Sequence, residues 1–159
     1  MTGMGFLHLS VAVVALVAGA VVVWLPKGTR SHRWIGRLYV ATMALVNGSA
    51  LTIYEISGAP TVFHALAIVS LVSIGCGLGM ALLRRRIRWW RPTHAYFMAW
   101  SYAGLAAAAT GQLGQLLGFG ALAPVLGTLL IAGGLVHGLV PRALGRSAPT
   151  GRKTAPGWR

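Results

Sequence analysis

The sequence predicts an all-α fold, an integral membrane bundle of five transmembrane helices with its amino terminus outside and its carboxyl terminus in the cytoplasm. Three observations lead to this prediction. Of the 159 residues, 56% are apolar and only 9% are charged, whereas a soluble globular domain has about 25% charged residues. Five uninterrupted apolar stretches each approach the length that a hydrocarbon layer about 30 Å thick requires. All 14 Lys and Arg residues lie in three clusters, which are separated by long runs without Lys or Arg.

The first predicted span covers residues 6–25, and residues 1–5 before it carry no basic side chain. A cleaved signal peptide begins with a positively charged region, so we expect a retained helix. The other predicted spans cover residues 34–56, 61–83, 93–117 and 119–140. Together they form a transmembrane domain at residues 1–141, followed by a basic tail at 142–159 that is rich in Pro, Gly, Ser and Thr and is expected to be flexible.

The segments that separate the predicted spans differ in amino-acid composition. A turn at residues 57–60, Ser-Gly-Ala-Pro, separates the second and third spans. The basic tract at residues 84–92 separates the third and fourth, and Gly118 and Gly120 mark a joint before the fifth. Glycine and proline are the residues that most often end helices and form turns. An odd number of spans places the two chain termini on opposite sides of the membrane.

The basic clusters determine the predicted orientation. They consist of Lys27, Arg30, Arg33 and Arg37; Arg84, Arg85, Arg86, Arg88 and Arg91; and Arg142, Arg146, Arg152, Lys153 and Arg159. With five spans, all three clusters face the same side, and an excess of Lys and Arg marks the cytoplasmic side. We therefore expect a multi-pass membrane protein whose basic face lies on the cytoplasmic side and attracts anionic lipids. This clustering indicates membrane topology and not a nucleic-acid partner.

The ionisable residues near the spans are functional candidates, because a polar group in hydrocarbon needs a partner. His8, His64 and the single acid, Glu55, are predicted near the outer ends of their spans. His94 and His137 are predicted near the inner ends. His32 is predicted to lie in the basic loop as an interfacial side chain.

Two imidazoles from facing helices can ligate a haem iron, and a stripe of small residues below a histidine leaves room for a flat macrocycle. His8 is followed at helical spacing by Ala12, Ala15 and Gly19. The leading hypothesis is a redox protein with one or two b-type haems that transfers electrons between a quinone and a partner. His8 and His64 would ligate an outer haem. His94 and His137 would ligate an inner one.

Two alternatives remain open. His8, Glu55 and His64 offer two imidazoles and a carboxylate that suit a divalent metal ion in a binding or transport protein. The chain could instead be a non-catalytic accessory subunit that packs against a larger membrane complex through its Gly and Ala faces. No phosphate-binding loop and no pair of carboxylates is present, so we do not expect ordinary soluble hydrolase chemistry and assign no catalytic residue. Cys76 is the only cysteine, which excludes a disulfide framework within the chain.

The basic hinge carries a local pattern, Lys27-Gly28-Thr29-x-x-His32-Arg33-x-x-Gly36-Arg37-x-Tyr39, and the chain continues with Arg84 to Arg86, His94-x-x-x-Met98 and Ser101-Tyr102. With this pattern the chain resembles a bacterial family of small, predicted multi-spanning membrane proteins of unknown function. The likeness extends from the first span to the fourth. More loosely, a small bundle with histidines near both faces is similar to the transmembrane di-haem cytochrome b and ferric reductase group. That second resemblance implies haem binding.

Overall fold

In the computed structural model, residues 3–52, 59 and 61–146 are described. They form five α-helices, which are α1 Gly3–Trp24, α2 Arg30–Thr52, α3 Val62–Leu82, α4 Trp90–Leu116 and α5 Leu122–Arg146. The all-α prediction is confirmed for these residues, among which no strand occurs. The helix α5 continues through Pro141 to Arg146, past the predicted start of the tail at residue 142. The rest of that predicted tail lies outside the described residues.

The turn between α1 and α2 is short because Gly28 adopts a left-handed backbone conformation and Thr29 caps the next helix. Gly28 has a φ of 82°, a left-handed conformation that glycine adopts without steric cost. The Thr29 hydroxyl accepts a hydrogen bond from the backbone N–H of His32 at 3.2 Å, as a residue that caps a helix N-terminus does. The helix α2 therefore begins at Arg30, four residues before the predicted span. The prediction that His32 lies in a loop was wrong, because this cap places it in the first turn of α2.

Helices α1 to α4 form a ring in which each packs against its neighbours in sequence, and a smaller contact between α4 and α1 closes it. The helix α5 packs against α4. Across the ring, the hydroxyl groups of Tyr39 on α2 and Ser101 on α4 are hydrogen-bonded at 2.9 Å. These two helices are therefore diagonal partners, and both begin at the same end of the bundle.

We call this end, with the turns at residues 25–29 and 83–89, the basic end. The other end, where α1 begins and α2 and α4 finish, is the opposite end. The core between them contains Ala15, Tyr39, Met43, Ile74 and Leu105. Its polar groups bond to each other: the Asn47 amide donates to the Ser70 hydroxyl at 3.1 Å. Buried polar groups in a membrane protein need such partners, since lipid supplies none.

The outer surface of the bundle is apolar along most of its length. Exposed large apolar residues include Val17 on α1, Leu45 on α2, Val69 on α3, Leu116 on α4 and Leu130 on α5. In the described part of the chain, three helices are long and apolar enough to cross a membrane, namely those at Gly3–Trp24, Val62–Leu82 and Leu122–Leu144. The chain is a membrane protein with several apolar helices, and a lipid bilayer is its surrounding medium.

Candidate functional site

The densest group of ionisable side chains lies at the basic end, around the C-terminus of α1. The Lys27 ammonium donates hydrogen bonds to the backbone carbonyls of Val22 at 3.0 Å and Val23 at 2.6 Å. The His32 imidazole lies near the backbone of Val22 and interacts with it electrostatically. The last carbonyls of a helix have no partner within it, so the Lys27 side chain caps α1.

His32 and His94 approach each other at this end closely enough to interact electrostatically. Burial lowers the pKa of His32, Lys27 and His94 lower it further, and only the interaction with Val22 raises it. Burial also lowers the pKa of Lys27. His32 is therefore neutral near pH 7, with a lone pair on one ring nitrogen. Its Nδ1 atom is buried and has no hydrogen-bond partner among the described residues.

His94 has a defined tautomer. Its Nδ1 lies 2.8 Å from the backbone carbonyl oxygen of Gly77 on α3. A carbonyl can only accept, so Nδ1 carries the proton and Nε2 carries the lone pair. Histidines that ligate metals almost always donate their other ring N–H in this manner, which fixes the orientation of the ring.

His137, the predicted partner of His94, lies elsewhere. Its ring contacts Tyr96 and Trp100, with centroid distances of 5.6 Å and 6.2 Å. On α4, those two positions are rotated about 200° and 240° from His94, at about 100° per residue. His94 faces α3, whereas His137 is exposed beside the opposite side of α4. The contacts in the structure do not bring these two imidazoles together.

His8 at the opposite end is hydrogen-bonded to another helix. Its Nδ1 lies 2.7 Å from the Ser49 hydroxyl oxygen on α2. The same hydroxyl is within hydrogen-bond distance of the backbone carbonyls of Leu45 at 2.8 Å and Val46 at 3.0 Å. When the hydroxyl donates its single proton to one of these carbonyls, His8 donates from Nδ1 and carries its lone pair on Nε2.

His64, the predicted partner of His8, has a local role that the sequence reading missed. It is buried, and its Nδ1 accepts a hydrogen bond from the backbone N–H of Thr61 at 3.1 Å. The two residues form a capping box at the start of α3. The neutral imidazole then carries its proton on Nε2. The spacing of Thr61 and His64, three residues apart at the start of an apolar run, is the signal that could have indicated this cap.

Glu55, the third predicted metal ligand, lies outside the described residues. Within 3–52, 59 and 61–146, no three residues among His, Cys, Asp and Glu lie close enough together to hold a metal ion. The predicted groove below His8 is filled. At Gly19 the rings of Tyr39 and Tyr102 approach so closely that a methyl group there would overlap both. The small residues of α1 thus serve aromatic packing.

A comparison with known protein families identifies the family of this chain. Residues 5–141 match the model of a family described as "Predicted membrane protein (DUF2306)". The chain belongs to this family. The predicted likeness to a family of small membrane proteins of unknown function is thereby confirmed. No curated protein and no solved structure matches the chain. The looser likeness to di-haem cytochromes b stays a prediction.

Proposed function

We propose that this member of the predicted membrane protein family is an electron-transfer protein that binds b-type haem and links a quinone to a partner. The observation that supports the proposal is the hydrogen bond between His94 Nδ1 and the Gly77 carbonyl oxygen at 2.8 Å. That bond leaves Nε2 without a proton, and it fixes the orientation of the ring against the backbone of α3. An axial haem ligand needs this arrangement.

A bound haem would supply one-electron chemistry between its ferric and ferrous states. Oxidation of a quinol to a quinone releases two electrons and two protons, so the two electrons would leave singly to a one-electron redox centre of a partner protein. At the opposite end, His8 presents Nε2 in the same way as His94 when the Ser49 hydroxyl donates its proton to its own helix. Ligation by His64 would first require its proton to move from Nε2, which the capping hydrogen bond from Thr61 opposes.

The proposal includes the predicted topology of five spans with a cytoplasmic basic end. The helices α2 and α4 have 23 and 27 residues, long enough to cross a membrane. They are less apolar than the other three helices. The helix α2 carries Arg30, Arg33 and Arg37, and α4 carries Arg91 and several polar side chains. Labelling of single cysteines introduced in the loops at residues 27–29 and 118–120 should place these loops on opposite sides. Labelling of both from the same side would contradict the topology.

The absorption spectrum of the protein tests the haem proposal. We expect the full-length chain, expressed with a supply of haem and purified in detergent, to show a Soret band and, after reduction, a sharp α-band. Iron should be present at one or two atoms per chain, which is the predicted number of haems. A monodisperse preparation without a Soret band and without iron would refute the proposal. Neither the predicted divalent metal site at His8, Glu55 and His64 nor the predicted role as an accessory subunit accounts for a Soret band.

A further inference from the structure

The register between α2 and α4 determines which side chains oppose each other at the basic end. The hydrogen bond between Tyr39 and Ser101 fixes one level of this diagonal pair. Seven residues earlier on each helix are His32 and His94. Seven residues make close to two helical turns, so each histidine lies on the same face as the residue it precedes, about 10 Å nearer the basic end. This register therefore places the two imidazoles at one level of the bundle, two turns from the Tyr39–Ser101 contact.

The side chains agree with this register. The His32 and His94 imidazoles interact electrostatically, although their helices are diagonal in the ring. The His94 imidazole is also hydrogen-bonded to the Gly77 carbonyl on α3, and the His32 imidazole interacts with the backbone of Val22 on α1. The two imidazoles thus lie between groups from all four helices of the ring. A buried nitrogen without a partner, such as His32 Nδ1, costs free energy unless a ligand satisfies it.

We infer that His32, and not His137, is the second axial ligand of a haem at the basic end, opposite His94. This inference rests on the proposed haem-binding function and changes one of its predicted ligand pairs. Two imidazoles complete the coordination of a haem iron, whose porphyrin supplies the four other nitrogens. A bare zinc ion would need two more protein or solvent ligands.

The positive charge of the basic end is suited to the negatively charged propionate groups of a haem. A b-type haem carries two propionate groups, and the chain has 14 Lys and Arg residues against a single acid. The Lys27 ammonium and the Arg33 guanidinium lie beside His32 and donate only to backbone carbonyls, at Val22, Val23 and Gly28. Exchange of such a neutral acceptor for a carboxylate gives a stronger, charge-assisted hydrogen bond. Propionates directed toward the basic end would therefore find cations that have no anionic partner among the described residues.

The test compares His32→Gln, His94→Gln and His137→Gln in the full-length protein purified with haem b. Low-temperature electron paramagnetic resonance counts the low-spin ferric haems per chain, and a pyridine haemochrome assay counts total haem. We expect the first two variants each to lose one low-spin haem per chain and His137→Gln to keep the wild-type count. Gel filtration and circular dichroism establish that each variant is folded.

A second variant separates ligation from a structural role. In His32→Gly, added imidazole should restore the lost low-spin signal, because a free imidazole can occupy the vacated axial position. Loss of the signal in His32→Gln without this rescue would overturn the inference, as would a wild-type low-spin count in His32→Gln. If His94→Gln and His137→Gln lost the signal while His32→Gln kept it, the originally predicted pair would stand and the proposed function would survive. A wild-type protein without haem would refute the proposed function itself.

Discussion

The two ends of the bundle use histidine in different ways. At the basic end, His32 and His94 are close enough to interact electrostatically, and His94 is hydrogen-bonded to the Gly77 carbonyl of another helix. At the opposite end, His64 accepts a hydrogen bond from its own helix terminus, and His8 is hydrogen-bonded to the Ser49 hydroxyl of another helix. The difference teaches that the depth of a histidine along its helix does not determine what its imidazole contacts. The hydrogen-bond partners of the ring nitrogens distinguish these residues.

The largest expected effect is the loss of haem from one end of the bundle. We expect His94→Gln to lose the basic-end haem, because His94 is one of its two inferred ligands. The matched variant His64→Gln should keep that haem, since its imidazole lies at the other end. The low-spin signal that His32→Gln loses identifies the basic-end haem, and electron paramagnetic resonance follows this signal in both variants. Loss of this signal in His64→Gln would remove the distinction between the ends.

The middle of the bundle connects the two ends and should be sensitive to overpacking. A larger side chain at Gly19 would overlap the rings of Tyr39 and Tyr102. Gly19→Leu should therefore lower the free energy of unfolding by about 1–3 kcal/mol, as in other overpacked cores. Gly48→Leu is a matched control, because a side chain at Gly48 would meet no atom within 4 Å. Denaturant titration in detergent measures both, and equal destabilisation would contradict the close approach of α1 to these tyrosines.

A smaller effect is expected at the cap of α3. His64→Ala removes the acceptor for the Thr61 backbone N–H, and loss of a helix cap costs about 1 kcal/mol. Thr61→Ala disrupts the same capping box and should destabilise the protein by a similar amount. The double variant should be little worse than either single one, because the two residues form one unit. Additive losses would show that His64 stabilises the opposite end by another contact.

The smallest effect is expected for Tyr39→Phe. It removes the hydrogen bond that joins α2 to α4, and interhelical hydrogen bonds in membranes contribute about 0.6 kcal/mol on average. The Ser101 hydroxyl keeps its bond to the Met98 carbonyl at 2.8 Å, so no buried donor is left without a partner. Thermal unfolding of the variant measures the difference. A loss of several kcal/mol would mean that this bond holds the register of the basic end by itself.

The sequence was sufficient to predict the helices, because lipid allows few alternatives to long apolar stretches separated by charged turns. The predicted spans 61–83 and 93–117 agree with α3 and α4 to within three residues at each end. The start of α2 was missed, since the Thr29 cap is a local hydrogen bond beside a strongly basic segment. The five membrane crossings and their orientation stay predictions, and so does the side of the membrane on which each terminus lies.

Side-chain partners could not be predicted in the same way. His8, His64, His94 and His137 were paired by their predicted depth and by the residues on the same helix face, whereas the structure distinguishes them by what each ring contacts. The pair of His32 and His94 depends on the rotation of α2 against α4. The sequence does contain one feature related to this pairing: His32 precedes Tyr39 by seven residues, and His94 precedes Ser101 by the same number. Nothing in the sequence indicates that Tyr39 and Ser101 meet, so the equal spacing had no meaning until the structure was known.

Proximity between positions 32 and 94 tests the central claim most directly and does not require haem. Cys76 is the only cysteine, so a Cys76→Ser background carrying His32→Cys and His94→Cys presents two thiols to a short bifunctional thiol reagent. We predict an intramolecular cross-link, detected by mass spectrometry after proteolysis, and none in the matched chain carrying His94→Cys and His137→Cys. A cross-link between positions 94 and 137, with none between 32 and 94, would contradict the account.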